Sequence, residues 1–146
     1  MTVGQGATLR LEISKIVGAL YERISLPMRI TFVNRGTAPI RILDHFEPLP
    51  VFFSFHVVKA DGTPLIIPGA GKIDFGPNEA GYLDLLPGSS HSIEVNIAGL
   101  VTKGLGPGLY SVSATYHNQY GECCFRGVLK SDAVTVEVLA GHGGNP

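Results

Sequence analysis

Apolar and polar residues alternate with period two through almost every segment between turn signals, and this restricts the fold more than any other feature of the sequence. Leu9, Leu11 and Ile13 interleave with Arg10, Glu12 and Ser14, and Leu26, Met28, Ile30 and Phe32 interleave with Ser25, Pro27, Arg29 and Thr31. The pattern returns in Ile93, Val95 and Ile97, in Tyr110, Val112, Ala114 and Tyr116, and in Val134, Val136 and Val138. Successive side chains of a strand point to opposite faces, so each segment has one face for a core and one for water. Antiparallel sheets suit that arrangement, whereas parallel sheets buried on both faces read as continuous apolar runs. No stretch of helix length places apolar residues at i, i+3, i+4 and i+7; residues 82–86 and 96–103 have room for a short helical turn at most.

Turn residues fall where the alternation breaks. Asp61-Gly62 supplies the positive φ of a tight hairpin between two apolar runs. Pro87-Gly88 predicts a turn in which Pro presets φ and Gly accepts the positive φ that follows. Asn34-Arg35-Gly36 closes one strand before Ile40 and Ile42 open another. The expected fold is all-β, an antiparallel immunoglobulin-like β-sandwich of about 7–9 strands. It spans residues 7–140, between a flexible N-terminus at 1–6 and a flexible tail at 141–146.

The segment GPGLYSV sharpens this expectation. A Gly-x-Tyr that opens a strand near the C-terminus resembles the tyrosine corner of immunoglobulin-like and fibronectin-like sandwiches, with Tyr110 as the structural residue. LLPGSSHSIEVNI, GPGLYSVSATY and GVLKSDAVTVEVL together resemble the last three strands of such a domain. The same pattern is similar to immunoglobulin-like accessory domains of secreted bacterial and fungal metalloproteases. It is also similar to the bacterial intracellular proteinase inhibitor family, whose early Asn turn and Asp-Gly hairpin compare with residues 34–37 and Asp61-Gly62. The resemblance implies a scaffold and carries no functional residue. The antibody-type inter-sheet disulfide is ruled out, because the two cysteines, Cys123 and Cys124, are adjacent.

Composition narrows the function classes. Net charge is -1 and Lys and Arg are scattered, so the basic stripe that neutralises nucleic-acid phosphates is missing. No apolar run reaches the roughly 18 residues that span a bilayer. MTVGQGATLRLE has no basic start followed by an apolar core, which leaves a cytoplasmic protein, or a secreted one shorn of its leader, as the expectation. Gly-x-Ser-x-Gly is absent, Ser89-Ser90-His91 reads as a turn and a strand start, and GAGKIDFG lacks the helix a phosphate loop needs. The five histidines, His45, His56, His91, His117 and His142, show no metal-binding spacing. A non-enzymatic protein without a cofactor or bound metal is therefore expected.

Three loops, residues 44–50, 68–78 and 118–126, are the expected ligand-facing parts, because a rigid sandwich presents its loops. The candidate binding residues are Asp44, His45, Phe46, Glu47, Phe52, Tyr120, Phe125 and Arg126. Within LPVFFSFHVV, one phase serves the core and Phe52 falls in the other, where an edge strand would expose it for a partner strand or for self-association. Adjacent cysteines in an extended strand would send one thiol to the core and one to water, reduced and structural. The expected role is a non-catalytic binding or interaction module whose partner is another protein. The alternatives are a proteinase inhibitor using an exposed loop, and a metal- or thiol-dependent protein using Asp44, His45 and Glu47 or the cysteine pair.

Overall fold

The alternating segments become strands, and their apolar phase faces inward. The computed structural model describes residues 8–16, 20–21, 27–44, 46, 49–65, 67, 81–97, 106–121 and 123–139. Strands β1 (Leu9–Lys15), β3 (Pro27–Asn34) and β7 (Ser90–Asn96) form one antiparallel sheet in the order β1-β3-β7. Leu11 lies opposite Phe32, Ile13 opposite Ile30, and Met28 opposite Val95, so the buried phase of each strand stacks on that of its neighbour. The outward phase is polar. Thr31 Oγ1 and Ser92 Oγ share a hydrogen bond of 2.9 Å, and Arg35 pairs with Glu12 at 3.1 Å.

The second sheet contains β2 (Leu20–Tyr21), β5 (Phe53–Lys59), β8 (Gly108–Asn118), β9 (Gly127–Lys130) and β10 (Val134–Leu139). Its order is β2-β10-β8-β5, with β9 also paired to β8. β2 runs parallel to β10. The register of β9 and β10 on β8 shows that they are one strand interrupted by a bulge. Lys130 pairs with Thr115 and Val134 with Val112, so residues 131–133 oppose residues 113–114, one residue in excess. Ser131 repairs the ladder there. Its hydroxyl accepts from the Ala114 N–H at 2.9 Å and donates to the Asp132 carbonyl at 2.9 Å.

β4 (Ile40–Leu43) and β6 (Tyr82–Leu85) pair with each other and prolong the β3–β7 ladder beyond an interruption at Asn34. Asn34 is wholly buried. Its amide Nδ2 donates to the carbonyls of Ala38 and Leu85 at 2.9 and 2.8 Å, and its Oδ1 accepts from the Gly36 N–H at 2.8 Å. One side chain therefore satisfies the backbone groups left unpaired where the ladder breaks. On the other side of β4, the Phe125 N–H donates to the Arg41 carbonyl at 2.8 Å, which ties this short ladder to the loop after β8.

The described residues thus form an antiparallel immunoglobulin-like β-sandwich, with nine strands of four residues or more and the two-residue β2. The predicted turns are present: Gly62 and Gly88 adopt φ of 92° and 80°, and the Ser89 N–H closes the second turn on the Leu86 carbonyl at 2.9 Å. Two local expectations need correction. Residues 82–85 form strand β6 instead of a helical turn. The run LPVFFSFHVV is not one strand, because Leu49–Phe52 forms a single helical turn, α1, before β5 begins at Phe53. Pro50 brings a φ suited to a first helical turn and no N–H for a sheet ladder. No helix among the described residues is long and apolar enough to cross a membrane.

Candidate functional site

An aromatic cluster sits at one end of the sandwich, and the candidate site is built on top of it. Phe46 stacks on Phe32 with ring centroids 5.5 Å apart, and meets Phe52 edge-on at 6.0 Å. Tyr116 meets Phe32 edge-on at 4.9 Å and stacks on Phe125 at 6.3 Å. Such pairs add about 0.5–1.5 kcal/mol each beyond their buried area. This corrects three expected binding residues: Phe46, Phe52 and Phe125 are 5%, 0% and 2% exposed and belong to the core. Phe52 in particular lies in α1, not on an open strand edge, because its ring fills the space between Phe46 and Tyr120.

The loop between β8 and β9 covers this cluster and is fixed at both ends. Asn118, buried at the end of β8, donates through Nδ2 to the carbonyls of Tyr120 and Phe125 at 2.9 and 3.0 Å. Its Oδ1 accepts from the Tyr120 N–H at 2.9 Å, an Asx turn that starts the loop. Arg126 folds back so that Nε donates to the Gly121 carbonyl at 2.8 Å and Nη2 donates to the same oxygen. Tyr120 is half-buried with its ring edge-on to Phe52 at 6.1 Å. Gly121 has φ of 88°, and a Cβ there would stand 2.8 Å from Cys124 Sγ, so the turn leaves no room for a side chain.

Cys123 and Cys124 lie in this loop, both with free thiols. Cys123 is exposed, and Cys124 is half-buried against the core. Their backbone is not a strand, since Cys123 has φ of 58°. Burial pushes the Cys124 thiol above its ordinary value, against an opposing pull from the Arg126 guanidinium. Cys124 Sγ donates to the Tyr120 carbonyl at 3.5 Å.

Beside the loop, the outward face of the β4–β6 ladder carries a charged platform. Arg41 Nε and Nη2 reach Asp84 Oδ1 and Oδ2 at 2.8 and 3.3 Å, and the guanidinium lies over the Tyr82 ring at 5.7 Å. The hydrogen bond to Arg41 holds the Asp84 carboxyl below the usual carboxylate range. Asp44 is exposed at the end of β4, its carboxylate lying over Gly81, whose Cβ would stand 2.6 Å from Oδ1. His45 and Glu47 lie outside the described residues, as do residues 68–78. No cluster of three or more His, Cys, Asp or Glu among the described residues is arranged to hold a metal ion.

Among the described residues, two concavities stand out. A groove of about 480 Å³ runs between β1 and the β9–β10 strand. Its lining includes the alternating charges Arg10, Glu12, Lys130 and Asp132. It is the seam where two sheet edges meet. A smaller pocket of about 290 Å³ opens beside the loop, lined by Val51, Tyr120 and Val128 with His117, Asn118 and Gln119. Ser54 Oγ lies 3.2 Å from His117 Nε2. The smaller pocket mixes apolar walls with polar groups at a fixed loop, which is the usual make-up of a recognition site.

Sequence reasoning reached Asp44, Tyr120 and Arg126, which remain near the surface at this end. It missed Arg41, Tyr82, Asp84 and Asn118. Only Asn118 carried a local signal, as an Asn two residues ahead of a Tyr-Gly turn; the others are neighbours only through the β4–β6 register.

No family model matches the chain. No curated protein matches it either. Among solved structures, it resembles the CARDB domain of the PF1109 protein from Pyrococcus furiosus, a crystal structure described as in complex with di-metal ions, at 14% identity. That match covers 90% of this chain and 86% of the other, with a TM-score of 0.39.

Proposed function

We propose that this chain is a non-catalytic interaction module that engages another protein with its β8–β9 end. The observation that carries this reading is the loop itself, tied down by Asn118, Arg126 and the Phe125–Arg41 backbone bond. A preorganised loop loses little entropy on binding, which suits it to recognition. The adjoining pocket of about 290 Å³ has the size for one apolar side chain of a partner. Val128, 59% exposed, forms its outer wall, and Tyr82, 40% exposed, offers a second apolar contact across the loop. The Arg41–Asp84 pair supplies an exposed polar border, as the rims of protein interfaces do.

A proteinase inhibitor would need an extended segment to enter a protease cleft. The described part of residues 118–126 is folded back on Asn118, so an inhibitory role would fall to another loop. The proposal is tested by placing a photo-crosslinking residue at position 128 and, in a second preparation, at 94 on the opposite sheet. A discrete adduct is expected from 128 and not from 94, and Gln119→Lys, at the pocket rim, should abolish it. Equal adducts from both positions, or an adduct indifferent to Gln119→Lys, would remove the loop from the interface.

A further inference from the structure

We propose that Cys123 and Cys124 form a vicinal dithiol site for a soft, thiophilic centre with two open positions, of which trivalent arsenic is the model. This goes beyond the interaction surface and does not depend on it.

The argument starts with backbone direction. In an extended strand the two side chains would diverge to opposite faces. The φ of 58° at Cys123 breaks that geometry, and left-handed backbone at a residue with a side chain is uncommon and concentrates at functional positions. Gly121 makes room for the Cys124 sulfur, since a Cβ there would meet it at 2.8 Å. Both cysteines are free, and one of them is open to water.

Adjacent Cα atoms are about 3.8 Å apart across a trans peptide, short of the roughly 4.4–6.8 Å usual for a disulfide. A direct S–S bond is thus poorly accommodated. Placing one large atom between the sulfurs, with two bonds in place of one, relaxes that constraint. The second thiolate then binds intramolecularly from a loop already fixed by Asn118 and Arg126, which multiplies affinity without new contacts. With an organoarsenic oxide the balance is complete. The arsenic–oxygen bonding is replaced by two arsenic–sulfur bonds, the two thiol protons leave with the oxygen as one water, and no oxidation state changes.

Phenylarsine oxide is the probe, with thiol titration and intact mass as readouts. One equivalent should silence both thiols and add a single adduct. Excess 2,3-dimercaptopropanol should remove it, and the same thiol concentration of 2-mercaptoethanol should not. Cys123→Ser, at an exposed position, should keep the fold by circular dichroism and weaken binding by about 100-fold or more. A requirement for two equivalents, release by the monothiol, binding by Cys123→Ser as tight as the parent, or native thiols already oxidised would each overturn the proposal. None of these readouts involves a protein partner, so the interaction-module reading stands or falls separately.

Discussion

The Tyr110 hydroxyl donates to the Gly106 carbonyl across 2.6 Å, from a side chain only 3% exposed. The bond ties the start of β8 to the segment that leads into it, and β8 is the strand on which β5, β9 and β10 all pair. Tyr110→Phe keeps the ring and loses the bond, leaving a carbonyl to find water. Its expected cost is about 1–2 kcal/mol. A fall in the urea midpoint with an unchanged m-value would show this; no change in midpoint would mean that the corner is ornamental.

Tyr116 is the opposite case. Its ring is wholly buried, and its hydroxyl has no hydrogen-bond partner among the described residues. A buried hydroxyl without a partner lowers stability, so Tyr116→Phe should be neutral or stabilising by up to about 2 kcal/mol. Burial also raises the phenol's pKa well above its ordinary value of 10.0. A raised folded-state value means that stability is intact below pH 10 and declines as pH rises beyond it, because the unfolded phenol gives up its proton first. The advantage of Tyr116→Phe should therefore widen above pH 10 in denaturation curves. If the variant loses more than about 1 kcal/mol at pH 7, an internal water holds the hydroxyl.

The fate of individual residues shows what was legible in the sequence. Leu9, Leu11, Ile13, Met28, Ile30 and Phe32 are buried because alternation is a local code, and a sheet with one wet face reads it directly. Asp61-Gly62 and Pro87-Gly88 were legible because a positive φ has so few tenants. Phe46 and Phe125 were misplaced because a loop Phe looks the same whether it caps a core or greets a partner, and Phe52 because the run around it reads as one strand although a helical turn turns its ring inward. Only the tertiary arrangement, with Phe46 against Phe32 and Phe125 against Tyr116, decides it. The Arg41–Asp84 pair, 43 residues apart in the chain, depends on strand register, which hydrophobic period alone does not assign. The bulge at residues 131–133 was likewise hidden, because an extra residue leaves both flanking alternations intact.

Asn34 offers a test of the joint between the two ladder pieces. Asn34→Asp replaces the amide that donates to Ala38 and Leu85 with oxygen facing oxygen. At pH 7 a buried, unpaired carboxylate should cost about 3–5 kcal/mol. Burial and the two carbonyls would raise the new carboxyl's pKa above its unfolded value of about 3.9. The deficit should then be small near pH 3 and grow as pH rises past 4. Parallel stability profiles for parent and variant from pH 3 to 7 would refute the two carbonyl contacts as the joint.

Cys123 separates backbone strain from thiol chemistry. Its φ of 58° costs an L-residue about 1–2 kcal/mol that glycine avoids. Cys123→Gly should consequently leave stability unchanged or raise it by about 1 kcal/mol, despite glycine's larger entropy in the unfolded chain. Cys123→Val, whose branched side chain disfavours that conformation, should lower it by about 1–2 kcal/mol. Thermal midpoints of the three proteins under reducing conditions give the order Gly, Cys, Val from most to least stable. If Val matches Cys, the loop does not hold the left-handed conformation in solution. The two thiols would then diverge as they do in a strand.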